Sequence, residues 1–507
     1  EPYSESEAGI IRNGVFAALP DAFGISLGYT NDPTTFKNRS TPAPSTRSMA
    51  CKAQTSGRIY LHSGPRTELH EIIRQEYARH QDRAVPRNTL RQAVQGMLDT
   101  FAYQNFDAAA GEYTNRCCRP PRETEMRPWR LVTEIGWTGG GVLAYPLVLC
   151  RDALGADAEA PLAAAMSGEQ LFDRIADAYN ENSGLLNDLM APNAAGSQVN
   201  GWWTGYGLVK DCHCAYTVGS AIHYLTKTMD YLHRNGKPCP AKWMDAAQKV
   251  LHTVMDLQRA DGAFGYTYST QERKVLDWSG FAGCWFAPAL VYLYRLTGEE
   301  RCLHSAEKAL DYYHTFVKDL NCYGTPMDTW KAVDEEGNLA FMRGSRLLYE
   351  QTGKAEFLQY MKDSAGYEFL WRYGYKTYPE HTPLNQGWSA CGGAVTSVSN
   401  PHIHPMGVII DTDLRYLARV TGDGYYASRA ADSAAWMLQC LELYPAATGY
   451  GRYGILSERW CPSDGLDVER FSDGRPFSSW FSHNLWASAC VLEAACELLL
   501  ESEHKKG

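Results

Sequence analysis

Glu134 in LVTEIGWTGGG, Asp211 in LVKDCHCAY, Asp277 in VLDWSGF and Asp328 in TPMDTWK fall in long predicted loops or at predicted helix openings, each within three residues of Trp or His. Two carboxyl groups facing each other across an acetal carbon, one protonated and one ionised, can cleave it by acid and base catalysis. An apolar indole wall raises a carboxyl pKa and a helix N-terminus lowers it, so the Trp-flanked pair Glu134 and Asp277 is open to either role. For each of the four, an N-cap or a loop salt bridge is the structural alternative. Asp277, Glu134 and Asp211 are the candidate acids and bases, and Asp328 is a candidate substrate contact.

Histidines gather at predicted helix openings: His402 and His404 in NPHIHPMG, His213, and His483. There they would hydrogen-bond polar substrate atoms, unless they are satisfied core residues. The segment NRCCRPPRETEMRPWR holds Arg116, Arg119, Arg122, Arg127 and Arg130 in an otherwise acidic chain. Guanidinium forks suit carboxylates or sulfates, which makes Arg130 a candidate contact to an anionic substrate; pairing with Glu123 and Glu125 is the alternative. Cys117-Cys118 and Cys212-His213-Cys214 resemble metal ligands only superficially. Neighbouring residues do not all point at one ion, and no CxxC or HxxxH partner accompanies them, so neither metal nor cofactor is expected. The 15 cysteines are read as reduced and structural.

These residues are positioned by a repeat. YLYRLTGEERCLHSAEKALDYY, LLYEQTGKAEFLQYMKDSAGYEF and YLARVTGDGYYASRAADSAAWML each run from an apolar helix end through Thr-Gly into a second, amphipathic helix. Gly298, Gly353 and Gly422 fall where a left-handed residue closes the first helix. With weaker copies upstream, outer helices are predicted near 88–103, 167–180, 241–258, 300–318, 355–371 and 424–441. Inner helices, apolar around the whole circumference, are predicted near 139–151, 214–234, 281–296, 335–351, 405–420 and 482–501. The result is an all-α (α/α)6 toroid over residues 85–507. Residues 1–84 form an extension, with short strands in GVFAALPDAFGISLGY and SGRIYLHSG and a Pro/Ser/Thr-rich loop between them.

Inner-to-outer turns are mostly short, whereas the six outer-to-inner loops are long, and long loops opening on one face of a ring mark a functional rim. Of the 14 Trp, only Trp243, Trp371 and Trp436 fall inside predicted outer helices. Those near the rim, including Trp137, Trp202, Trp203, Trp278 and Trp388, suit a cleft that stacks sugar rings, with filling of a large centre as the alternative. Asp411 and Asp413 are expected deeper in an inner helix, as buried partners near Arg415.

The TG hairpins, QRADGAFGY after an outer helix, and the inner helices GWTGGGVLAYPLVL and WSGFAGCWFAPALVYLYRLTG together resemble the six-hairpin glycosidase superfamily, toroids that include unsaturated uronyl hydrolases and rhamnosidases. The resemblance covers some four hundred residues. It implies an exo-acting sugar hydrolase, for which the arginine cluster suggests a uronic-acid-containing oligosaccharide, and carries over no catalytic residue.

Composition narrows the classes. With 45% hydrophobic and 21% charged residues the chain can bury a large core, and a net charge of -10 without a long Lys/Arg run argues against a nucleic-acid partner. No stretch reaches the roughly 18 to 20 apolar residues of a membrane span. A soluble protein is expected, cytoplasmic, or periplasmic if an upstream signal has been removed. Three other readings remain: a polysaccharide lyase using Asn400, His402 or His404 with a Tyr, a sugar epimerase using paired His, and a non-catalytic glycan binder.

Overall fold

The computed structural model describes residues 10–11, 14–19, 22–26, 63–80, 83–113, 116–117, 127–128, 135–136, 140–188, 200–203, 208–325, 331–376, 388–398, 400–443, 453–460 and 485–504. Its helices, in chain order, are α1 (Leu69–Tyr77), α2 (Leu90–Thr100), α3 (Gly141–Leu154), α4 (Glu159–Ala164), α5 (Gly168–Asp177), α6 (Ala215–Arg234), α7 (Ala241–Asp256), α8 (Phe286–Thr297), α9 (Glu300–Lys318), α10 (Glu336–Thr352), α11 (Ala355–Trp371), α12 (Asp411–Thr421), α13 (Gly424–Cys440) and α14 (Leu485–His504). Among the described residues α3, α6, α8, α10, α12 and α14 form the inner ring. Each packs on the next, and α14 closes the circle on α3. The outer ring is α2, α5, α7, α9, α11 and α13, and α2 pairs with the last inner helix, α14. The twelve predicted helices and their alternation are therefore present.

The Thr-Gly signature has a local cause. Gly298, Gly353 and Gly422 take φ of 75°, 66° and 70°, where a Cβ would be strained. In each turn the preceding threonine also works: Thr297 Oγ1 donates to Leu293 O at 2.8 Å and accepts from Glu299 N–H at 3.2 Å. Thr352 and Thr421 repeat both bonds. The pair thus satisfies a helix-end carbonyl and starts the next helix within a few residues.

Large aromatics fill the space between the rings. Trp243 and Trp436 of the outer helices are fully buried, and Trp243 packs on Phe172 with ring centroids 5.4 Å apart. Side chains of this size contribute about 1.5–3 kcal/mol each when removed from water. No helix among the described residues is long and apolar enough to cross a membrane. The described cysteines are free, and all but Cys239 are buried.

Two features depart from the sequence reading. No helix is expected before residue 85, yet α1 lies against α11. Nine residues are too few to declare a period, and its stability comes from docking: Arg74 forks onto Asp423 at 2.6 and 2.8 Å, and Arg66 reaches Asp319 O at 2.8 Å. Gly366 of α11 makes room for His70, whose ring a Cβ there would strike. Asp411 and Asp413, expected deep in a helix beside Arg415, instead occupy the first turn of α12. Their partners are Arg372 for Asp411 and Arg343 and Arg346 for Asp413, while Arg415 binds Glu501. A 3-10 turn, Met406–Ile410, precedes α12 and delays its start. The strands Gly14–Leu19 and Ala22–Ser26 pair as an antiparallel hairpin in the extension.

Candidate active site

The N-terminal ends of five inner helices, or the turns leading into them, carry Tyr216 (α6), Trp285 (before α8), Glu336 (α10), Met406 (before α12) and Trp486 (α14). Tyr216 donates its hydroxyl to Glu336 Oε2 at 2.7 Å, and the Met406 sulfur lies 3.6 Å from the Tyr216 hydroxyl oxygen. Trp285 leans on Tyr216 with ring centroids 5.8 Å apart. Burial, followed by the adjacent Glu336 charge, pushes the Tyr216 hydroxyl well above its ordinary range, so it remains a donor. Glu336 is 6% exposed, whereas the carboxylate before it is fully enclosed.

Three successive carboxylates open α10, and the helix sends them three ways. Asp334 accepts Thr325 N–H at 2.9 Å and Gly337 N–H at 3.1 Å, which caps the helix. Burial pushes it up to about 7 against those bonds. Glu335 turns toward Glu368 of α11, and among the described residues neither of its oxygens meets an N–H donor. Burial, then the Glu368 charge, raise its pKa well above the usual carboxylate range, which favours a proton held at this pair of carboxyls. Arg372 binds Glu368 Oε1 at 2.7 Å, Asp411 Oδ1 at 2.9 Å and Gly407 O at 2.8 Å. Asp411 is pushed up to about 7 by burial, which outweighs Arg372. Gly407 must lack a side chain, since a Cβ there would come within 2.4 Å of Glu335 Oε1.

Deeper along the inner helices, an ion network fills the space between them. Lys227 lies 2.6 Å from Glu493 and 2.7 Å from Glu497, and Arg343 grips Asp413 at 2.8 Å. Tyr224 and Tyr145 donate to the two glutamates at 2.8 and 3.0 Å. Burial alone would raise Glu497, but Lys227 and Arg343 outweigh it and hold the carboxyl down to about 2. Such buried groups persist because each is paired and hydrogen-bonded.

The residues singled out from sequence separate into several environments. Asp277 ends the strand Val275–Asp277, its side chain 37% exposed, and accepts from Lys331 Nζ and from Ser279 N and Oγ, the latter two at 2.8 and 2.7 Å. Burial would raise its pKa; the bonds from Lys331 and Ser279 outweigh that and hold it below the usual range. Trp278 lies under the Arg259 guanidinium at 5.2 Å. Asp211, at φ 59°, tips a tight turn and accepts from Asn200 at 3.2 Å. His213 is buried between Asp188 at 2.8 Å and Ser183 at 3.0 Å, and the strand's alternation separates it from Cys212, which accepts the Trp202 indole N–H at 3.2 Å. Trp388 is buried and stacks on Trp460 at 6.4 Å. His404 is buried and stacks on Trp486 at 6.5 Å, which brings it to the mouth. Trp203 and His402 lie on strands, their side chains outside the described set, as are Glu134, Trp137, Asp328, Arg130 and His483.

Tyr216, Trp285, Glu335, Glu336, Glu368 and Arg372 were not singled out from sequence. The signal for two of them was present: VDEEGNLAF places carboxylates in the first turn of an inner helix. Requiring a Trp or His neighbour passed over it.

No protein-family model and no curated protein matches this sequence. Solved structures do. A D-mannose isomerase superposes with a TM-score of 0.51 at 12% identity, over 82% of this chain and 97% of its own. The chain shares the (α/α)6 toroid fold with these solved enzymes. A sugar epimerase from a ruminal bacterium gives 0.52 at 10% identity, over 81% and 98%. A family 76 glycoside hydrolase from a bovine Bacteroides thetaiotaomicron strain gives 0.52 at 12% identity, over 82% and 78%. At such identities the likeness is one of fold.

Proposed function

We propose that this chain is a carbohydrate-active enzyme and, within that class, a glycoside hydrolase that works at the mouth of the inner ring. The observation that carries the reading is Glu336: a buried carboxylate in the first turn of an inner helix, bonded by Tyr216, whose ring and hydroxyl in turn meet Trp285 and Met406. Sugars need one ionised and one protonated carboxyl group across the scissile bond, with apolar ring faces against aromatics. Glu336 supplies one of the two. Glu134, outside the described residues, is the second in this reading; the two residues after it are held by Asp188 and α6, with Ile135 N–H on Asp188 O at 3.0 Å and Gly136 O accepting from Ser220 at 3.2 Å. Asp277, held ionised at its hairpin, acts as a contact to substrate and not as the proton donor. That solved toroids with this fold include a family 76 glycoside hydrolase accords with the reading.

A second reading, a sugar isomerase or epimerase, draws on His404, buried at the same mouth against Trp486. There the histidine would move a proton at the carbon beside a carbonyl.

Both are tested by incubating the protein with neutral and uronic-acid oligosaccharides and following reducing ends, near-ultraviolet absorbance and uptake of solvent deuterium into recovered sugar. New reducing ends, lost in Glu336→Gln and Glu134→Gln, are expected. Undiminished hydrolysis by Glu336→Gln would sink the first reading. Deuterium uptake without new reducing ends, abolished in His404→Ala, would establish the second.

A further inference from the structure

Between α1 and the C-terminal end of α11 lies a cavity of about 500 Å³, walled by Tyr77, Trp371, Tyr373 and Tyr375. That volume is in the range of small-ligand sites, roughly 300–1,000 Å³. Arg429 of α13 forms part of its wall. The guanidinium is fully buried, and among the described residues it has no ion pair. It donates to Arg372 O at 2.6 Å and to the Tyr425 hydroxyl at 3.3 Å, and its Nε–H meets no acceptor.

Its surroundings sharpen this. The rings of Phe369 and Tyr77 flank the guanidinium at 4.3 and 4.8 Å. The neighbouring cation, Arg372, is already occupied by Glu368 and Asp411. Asp432, three residues on, takes the Tyr77 hydroxyl at 2.6 Å and Arg83. Glu76, the carboxylate in the wall, is held by Arg79. A second donor in the same wall, the Trp371 indole N–H, is also buried, with the Tyr367 hydroxyl as a neighbour and no close acceptor among the described residues. A buried cation lacking an anion is costly, and a guanidinium edge beside aromatic walls suits a carboxylate attached to a ring.

We propose that this cavity is a second binding site, separate from the axial mouth, for a carboxylate-bearing sugar ring, with the carboxylate taken by Arg429 and Trp371 and the ring set against Tyr373 and Tyr375. The inference does not depend on hydrolysis at Glu336.

Glucuronate, glucose and acetate are titrated into the whole chain by calorimetry, with folding of each variant checked by circular dichroism. One saturable glucuronate event is expected in the wild type and in Glu336→Gln, with glucose, lacking the carboxylate, and acetate, lacking the ring, each at least about tenfold weaker. Tyr375→Ala and Trp371→Phe should weaken it by about tenfold or more, and Arg429→Gln should abolish it. Tyr375 is 44% exposed, so its replacement leaves the buried network intact and decides the matter even if Arg429→Gln fails to fold. Absence of glucuronate binding, equal binding of glucose or acetate, or binding unchanged in Tyr375→Ala and Trp371→Phe would overturn the site.

Discussion

The hairpin that carries Asp277 and the first turn of α10 place carboxylates in opposite circumstances. Asp277 is part-exposed, with Lys331 and Ser279 as donors, and stays ionised. Glu335 is enclosed, faces another carboxyl, and has its pKa raised by burial and by that neighbour. Its neighbour Glu336 is buried too, but meets a hydroxyl donor, Tyr216, instead of a second carboxyl. The difference teaches that protonation state follows enclosure and donors, not the identity of the adjacent residue in sequence.

The contrast can be broken first at the level of turnover. Glu336→Gln should lower kcat/KM by about 10²–10⁴-fold, the usual range for a positioned acid or base, with Asp277→Asn costing less than about tenfold. Comparable losses in both would erase the distinction between mouth and hairpin.

Stability gives the next largest effect. Glu368→Ala leaves Arg372 with one carboxylate fewer inside the protein and should cost about 3–5 kcal/mol in urea unfolding. A cost below about 1 kcal/mol, the range of exposed pairs, would mean that the cluster is solvated.

The pH dependence should run in opposite senses at the two places. Glu335 is raised in the folded state, so its contribution is fully present below about 4.5, its ordinary value, and is lost as pH climbs through the folded pKa. Glu335→Gln, a mimic of the protonated form, should therefore flatten the fall in melting temperature on the alkaline side. Asp277 is lowered, so its contribution is present above the ordinary aspartate value and lost as pH falls through the folded pKa. Asp277→Asn should flatten the acid limb instead. Melts from pH 3 to 10 check both, and matching profiles for the two variants would refute the assignment. The smallest effect belongs to Lys331→Met, expected to change stability by less than about 1 kcal/mol while moving the Asp277 carboxyl resonance to titrate at higher pH.

Much of the fold was legible because its signals are local. A Thr that closes one helix and a Gly that takes positive φ recur at 297–298, 352–353 and 421–422, and the apolar inner helices differ visibly from the charged outer ones. The site was less legible. His404 does reach the mouth, but Asp211 caps a turn and His213 is held between Asp188 and Ser183. α1 escaped notice because nine residues acquire their helical form from Arg74, Arg66 and the surface they cover.

The sequence by itself determined the ring: helix periods, Thr-Gly turns and loop lengths act within a few residues, and their repetition leaves few ways to close a chain. Tertiary structure alone decided which carboxylates hold protons and which meet a tyrosine. Tyr216 and Glu336 are 120 residues apart, and Glu335 and Glu368 are brought together only when neighbouring hairpins pack. Desolvation and charge coupling depend on distances across that packed interior, which no short stretch of sequence contains.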